Sequence, residues 1–277
     1  MNYLDMLKIK AEECGNILCM GIDPVIDKIP IKDEPGKAIL KFYLDILAAM
    51  QSEGIKIPTV KPNIAFFEQY GPKGLSALKG IIEEYQKAGI DVILDAKRGD
   101  IGSTSKAYAK AVFDYWNADA VTLHPYLGYD SISPFLDFKD KGNYVLARTS
   151  NKSAVEIQDL LAGEKPVYRI VSELILKWHS PGIGAVIGAT YPKELAELSA
   201  LFVKSGKQVP LLIPGVGSQG GSAKEVMDVL TKTNNPLWLH RINSSSGISY
   251  AYLKENTDDY AGAAVKELKK LINTMKI

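Results

Sequence analysis

The sequence predicts an α/β protein, a (β/α)8 (TIM) barrel with an additional N-terminal helix. Three observations predict it. Apolar, β-like runs alternate with segments of helical periodicity along the whole length. They resolve into eight strand–helix units within about 250 residues, with no linker between them. The turn after the first strand reads Gly21-Ile22-Asp23-Pro24, where an open sheet that binds a dinucleotide would carry Gly-x-Gly-x-x-Gly. Right-handed β-α-β crossovers also allow an open doubly wound sheet. The missing glycine motif favours the barrel, as one domain over residues 1–277.

The elements follow in order. Residues 3–14 form an amphipathic helix, and the apolar run 17–21 is strand one. Ile39, Leu40, Phe42, Tyr43, Ile46 and Leu47 are spaced for one helix face over 38–50. Residues 58–61 are a short second strand ended by Pro62, 75–88 a helix, and 90–96 strand three. A helix over 105–115 follows, with Ser103 or Ser105 as its expected cap. Strands four and five fall at 120–123 and 144–147, with a short helix at 132–138 between them. Residues 150–164 read as a polar loop or lid, and 167–178 as helix. Strand six is 185–187, and the helix 192–204 opens on a proline, which suits the first helical turn. Strand seven is 211–213, followed by a helix at 223–231, strand eight at 237–242 and a closing helix at 258–273.

Composition narrows the function classes. Hydrophobic residues make up 46% and charged residues 23% of the chain, an ordinary balance for a globular protein with a sizeable core. Lys and Arg number 33 against 32 Asp and Glu, so no broad surface for nucleic acid or anionic lipid is expected, and any anion site must be local. Asp5, Lys8, Lys10, Glu12 and Glu13 rule out a signal peptide in the first residues. No apolar run approaches the roughly 20 residues of a membrane span. The two cysteines, Cys14 and Cys19, show no metal-ligand spacing, and Cys19 within an apolar run reads as a core thiol. A cytoplasmic location is the expectation.

Chemistry in a barrel gathers at the C-terminal ends of the strands. Those ends are Asp23, Lys61, the Asp95–Lys97–Asp100 cluster, His124, Thr149-Ser150-Asn151, Thr190, the loop from Pro214 to Gly221, and Asn243-Ser244-Ser245-Ser246-Gly247. Strand three is the densest. Val92, Ile93 and Leu94 run straight into Asp95, Lys97, Arg98 and Asp100, and on an extended strand Asp95 and Lys97 share a face. A lone Asp-x-Lys usually means a structural ion pair, but its place at a strand end makes it the candidate site. The glycine-rich loop after strand seven leads into a helix, a combination of backbone N–H groups suited to phosphate. His124 and His240 show no catalytic partner and read as structural.

The stretch Asp95-Ala96-Lys97-Arg98-Gly99-Asp100-Ile101-Gly102-Ser103-Thr104 resembles the Asp-x-Lys-x-x-Asp motif of the orotidine 5′-monophosphate decarboxylase family, in its longer bacterial (type 2) form. Gly21-Ile22-Asp23-Pro24, the run from Lys61 to Glu68, Leu123 to Gly128, Arg148 to Asn151 and Pro214 to Gly221 extend the resemblance over most of the chain. It implies a homodimeric barrel that converts orotidine 5′-monophosphate to UMP and CO2 in pyrimidine biosynthesis, with neither metal nor organic cofactor. By motif, Lys61, Asp95, Lys97 and Asp100 would form the charged catalytic network, with Lys97 as the proton donor to C6. Asp100, Ile101 and Thr104 would serve the neighbouring subunit's site. Asp23 and Lys61 would bind ribose hydroxyls, Ser150 the pyrimidine, and Pro214 and Gln219 the base and phosphate.

One position departs from the family pattern. Ser246 stands where the family usually has the arginine that grips the phosphate, and a hydroxyl cannot replace a bidentate guanidinium. Arg241, five residues earlier, is the candidate substitute. Rival functions are a related Mg²⁺-dependent barrel lyase acting on sugar phosphates, a Schiff-base aldolase using Lys97 or Lys61, and a non-catalytic nucleotide-binding protein.

Overall fold

In the computed structural model, which describes residues 1–217 and 219–277, eight parallel strands close into a barrel. They are β1 (Leu18–Ile22), β2 (Thr59–Pro62), β3 (Asp91–Arg98), β4 (Ala120–Leu123), β5 (Gly142–Arg148), β6 (Ile183–Ile187), β7 (Leu211–Pro214) and β8 (Arg241–Ser244). Each strand pairs with its neighbours in sequence, and β8 closes on β1 through Leu18↔Ile242, Cys19↔Asn243 and Met20↔Ser244. Strands covered by helices outside and side chains inside must be apolar on both faces, which is why they appear as unbroken apolar runs. β1, β2, β4 and β8 are buried at every position.

The main helices are α1 (Tyr3–Cys14), α2 (Pro35–Ser52), α3 (Gly71–Lys87), α4 (Gly102–Lys110), α5 (Tyr129–Leu136), α6 (Val167–Lys177), α7 (Pro192–Lys204), α8 (Ala223–Lys232) and α9 (Tyr260–Thr274). α2 shows the governing pattern: Ala38, Ile39, Phe42, Tyr43, Ile46, Leu47 and Met50 form its buried stripe against the barrel. α1 is fixed at both ends, by a reciprocal Asn2–Asp5 capping box and by Gly15 in the left-handed region at its C-terminus. Its buried residues Tyr3, Leu7 and Ala11 recur every four positions and plug the N-terminal mouth of the barrel. Gly142 is required there, because a Cβ at that position would stand 2.3 Å from the Tyr3 ring.

Four local expectations change. The run Leu237–Leu239 is a 3₁₀ turn after Pro236, and β8 begins only at Arg241. Leu239 packs with Tyr3 and Leu7 rather than entering the sheet, and a short apolar run does not distinguish those fates. Neither Ser103 nor Ser105 caps α4; the cap position is Ile101, and the buried Ser105 hydroxyl donates to the Ser131 carbonyl at 3.1 Å, tying α4 to α5. After α4 the backbone widens into a π-helical turn, Ala111–Tyr115. The loop after β5 holds a 3₁₀ turn (Lys152–Glu156) and a small hairpin pairing Leu161–Ala162 with Lys165–Pro166.

Candidate active site

The C-terminal ends of the strands surround a cavity of about 520 Å³. β2 contributes Lys61, β3 Asp95 and Lys97, and β4 Thr122, and their side chains form one connected array. The Asp95 carboxylate accepts from Lys61 Nζ at 2.8 Å on Oδ2, and from Lys97 Nζ at 2.6 Å and Thr122 Oγ1 at 2.8 Å on Oδ1. The side chains of Lys61 and Asp95 are 6% and 9% exposed, whereas that of Lys97 is 47% exposed. The array thus has a dry half that holds its shape and a wet half that faces the cavity.

Its electrostatics follow from that division. Burial by itself would raise the Asp95 carboxyl, but the ammonium groups of Lys61 and Lys97 and their hydrogen bonds override it and hold the carboxyl well below the usual range. Burial likewise pulls Lys61 down, and the carboxylates of Asp95 and Asp23 more than reverse it. Lys61 is a fixed cation. Lys97 has φ of +46°, a left-handed backbone that costs a non-glycine residue roughly 1–2 kcal/mol. Such strain persists only where surrounding contacts impose it.

Asp23, after β1, points into the same cavity. Its Oδ2 accepts from Ser245 Oγ at 2.5 Å, while Oδ1 is buried with no protein partner among the described residues. Ser245 packs so closely on β1 that a Cβ on Gly21 would lie 2.5 Å from the Ser245 Cβ. Ser245 thus fixes the Asp23 carboxylate from behind at the cavity wall.

On the far side, Ser150, Pro214 and Gln219 line the cavity. The β5 loop that carries Ser150 is pinned at its root. The buried Arg148 guanidinium lies 3.7 Å from the Tyr191 ring centroid and pairs with Asp159 at 3.2 Å, while Gln158 and Thr149 exchange hydrogen bonds of 2.7 and 2.8 Å. In the β7 loop, Gly215, Gly217 and Gly220 take positive φ, and the N–H groups of Gly217, Gly220 and Gly221 donate within the loop itself. Those glycines shape a tight turn rather than offering every N–H to an anion. Ser218, in the middle of this loop, lies outside the described residues.

Four predicted residues stay out of this cavity: Asp100, Ile101, Thr104 and Ser246 do not line it, and Asp100 Oδ1 accepts from the N–H of Ile101 at 2.7 Å. The fourth charge, the Asp100 carboxylate, is thus absent from the array within one chain. Ser246 opens a short helical turn, Ser246–Ser249, and it is Ser245 that reaches the cavity. Arg241 is not a substitute phosphate ligand. It begins β8 at the opposite mouth of the barrel, fully buried, donating to Thr59 Oγ1 and to the carbonyls of Leu7, Trp238 and His240. His240 is structural: its Nδ1 accepts from the Leu211 N–H, and burial, with the Arg241 charge, brings its pKa down to about 3.

Of the other residues that line the cavity, Asn243 and Ser245 stand at the predicted end of strand eight with no role assigned to them, and Asn63, Thr122 and Gln158 are ones the sequence did not single out. Asn63 lies inside the run from Lys61 to Glu68, just past strand two, and was within reach of the strand-end rule. Thr122 sits inside an apolar strand, where a β-branched residue needs no further explanation. Among the described residues, no three or more His, Cys, Asp or Glu side chains gather to hold a metal ion. No helix among them is long and apolar enough to cross a membrane.

Residues 18–236 match the model of the "Orotidine 5'-phosphate decarboxylase / HUMPS family". The chain is 38% identical over 280 residues to the orotidine 5'-phosphate decarboxylase of Dehalococcoides mccartyi, covering 99% of this chain and 98% of that protein. Among solved structures it is similar to the UMP synthase of Leishmania donovani, with a TM-score of 0.81 and 34% identity, spanning all of this chain but 56% of that one. It is also similar to the OMP decarboxylase of L. donovani, with a TM-score of 0.76, 30% identity and 99% of both chains covered.

Proposed function

The chain belongs to the orotidine 5′-phosphate decarboxylase / HUMPS family, and we propose that it converts orotidine 5′-monophosphate to UMP and CO2, with Lys97 delivering the proton to C6. The observation that carries this is the array at the end of β3: a buried carboxylate held between a dry ammonium, Lys61, and a cavity-facing one, Lys97.

The bond between C6 and the carboxylate carbon breaks, CO2 leaves, and the electron pair stays on C6. No adjacent carbonyl delocalises that pair in the ordinary way. The Lys97 ammonium, preorganised beside it, stabilises the developing charge and then gives its proton to C6. Asp95 accepts from Lys97 and so aims its ammonium, and Lys61 keeps Asp95 ionised. Asp23 and Lys61 bind the ribose hydroxyls; Ser150 meets the pyrimidine; Pro214 and Gln219 flank base and phosphate. Binding energy from the phosphate orders the loops after β5 and β7 over the substrate and excludes water.

Asp100, Ile101 and Thr104 act in the partner's site of a homodimer. Supporting this, they lie outside their own cavity, and the same rim of the barrel exposes Ile101 (55%) and Tyr126 (81%), apolar surface that a second copy would cover. A biosynthetic role in the cytoplasm accords with this activity.

The test is CO2 release from carboxyl-labelled orotidine 5′-monophosphate by the purified chain, with Lys97→Ala as the comparison. Wild type should release label, and the variant should still bind UMP while losing at least about a thousandfold in turnover, some 4 kcal/mol of barrier. A wild type without release refutes the function. A variant with near-normal turnover removes Lys97 as the donor.

A further inference from the structure

The pairing of β3 with β4 is interrupted at the site. The two strands are in register at Leu94 with Val121 and again at Arg98 with Leu123, so Asp95, Ala96 and Lys97 stand opposite Thr122 alone. A bulge of this kind re-aims side chains and takes backbone groups out of the ladder. Here the displaced N–H of Lys97 donates to Thr122 Oγ1 at 3.0 Å. The same hydroxyl gives its own proton to Asp95 Oδ1 at 2.8 Å. Asp95 Oδ1 is also the atom that Lys97 Nζ approaches at 2.6 Å. One side chain therefore holds the backbone of Lys97 in its left-handed turn and orients the carboxylate toward which its ammonium points.

We propose that Thr122 is a positioning residue: its hydroxyl closes the bulge in β3 and so sets the aim of the Lys97 ammonium at the reacting carbon. This rests on the decarboxylase function proposed above. A hydroxyl is needed because two jobs meet at one atom, accepting from an N–H and donating to a carboxylate, and a hydroxyl does both. Valine has nearly the same shape and does neither. With valine the bulged N–H has no acceptor and Asp95 Oδ1 loses a donor, so the left-handed turn at Lys97 is no longer enforced. The ammonium stands at the end of a flexible four-carbon stem, so a small backbone rotation there moves it far from C6. Misplacement at that scale lowers the chemical step more than it lowers binding.

The experiment compares wild type with Thr122→Val and Thr122→Ser in kcat, KM for orotidine 5′-monophosphate, UMP affinity and melting temperature. A crystal structure of the valine variant completes it. The valine variant should lose about 10- to 100-fold in kcat while KM and UMP affinity stay within about threefold, and serine should restore kcat to within about threefold. In the crystal the Lys97 ammonium should have left Asp95 Oδ1. The proposal is overturned by a valine variant with kcat within about twofold of wild type, by serine that rescues no better than valine, or by UMP affinity falling as far as kcat. An unmoved Lys97 in the crystal overturns it as well. If the wild-type chain releases no CO2, the decarboxylase function fails on its own, and the crystal structure still decides whether Thr122 places Lys97.

Discussion

Replacing Asp95 with Asn tests the charge array most directly. The change keeps the shape of the side chain and removes the only anion that, among the described residues, touches both ammonium groups, Lys61 at 2.8 Å and Lys97 at 2.6 Å. The two lysines do not suffer equally. Lys97 is half exposed and turns toward solvent, so its loss is small and screened. Lys61 is 6% exposed and cannot follow, so its charge is left buried with Asp23 as the remaining carboxylate acting on it. Breaking a buried pair from one side costs about 3–5 kcal/mol. For a chain of this size that is a fall in melting temperature on the order of 10 °C.

The pH dependence gives the sharper test. In wild type the Lys61 pKa is raised, so its stabilisation is complete below the unfolded value of about 10.4 and is lost as pH rises through the folded one. In Asp95→Asn, burial, the largest influence on Lys61, no longer has its main opponent, and the folded pKa drops below the unfolded value. The variant then gains stability as pH rises through that lowered pKa, because the buried charge is discharged. Urea unfolding followed by tryptophan fluorescence should therefore show a deficit of about 3–5 kcal/mol near neutral pH that narrows toward about pH 10. A variant within about 1 kcal/mol of wild type at neutral pH, or a deficit constant to pH 10, would refute the view of Lys61 as a cation held buried by Asp95.

Asp91 makes the opposite case at the far mouth of the barrel. Burial, then the neighbouring Asp119 carboxylate, raise its pKa to about 7, and its Oδ2 has no hydrogen-bond partner among the described residues. A raised acid destabilises the fold as pH climbs from the unfolded value of about 3.9 through 7, so Asp91→Asn should gain a few kcal/mol near pH 8 and almost nothing near pH 4 in thermal unfolding; equal melting temperatures at pH 8 would count against it. Ser246→Arg should tighten UMP about 10- to 100-fold by titration calorimetry while leaving uridine unchanged, since a charged donor adds about 1.5–3 kcal/mol only where a phosphate meets it; equal gains for both ligands would place the residue away from the phosphate. Mixing Lys97→Ala with Asp100→Ala protein should regenerate activity, one intact site per heterodimer, whereas subunit exchange without activity would show that Asp100 is not shared.

Much of this molecule is local in origin and could be read along the chain. The alternation of apolar runs and helical stripes specifies eight strand–helix units, and a strand end exposes whatever polar residue comes next. That rule set Asp23, Lys61, Asp95, Lys97, Ser150, Pro214 and Gln219 among the strand ends, the family resemblance singled them out, and all of them line one cavity. The closed order of the strands then brings Lys61 to Asp95 across 34 positions of sequence. What the sequence could not determine depends on contacts between distant segments. Arg241 and Ser246 are five residues apart, yet the guanidinium reaches back to Leu7 and Thr59 at the N-terminal mouth, because β8 starts later than its apolar run suggested and α1 packs beneath it. The left-handed turn at Lys97 and the role of Thr122 exist only through the register shift between β3 and β4. The cluster that looked like four charges in one stretch is therefore divided by the fold. Asp95 and Lys97 enter the array with Lys61, and Asp100 turns away to its own backbone, since a bulge and the close approach of Gly99 to the His124 backbone separate residues that the sequence places side by side.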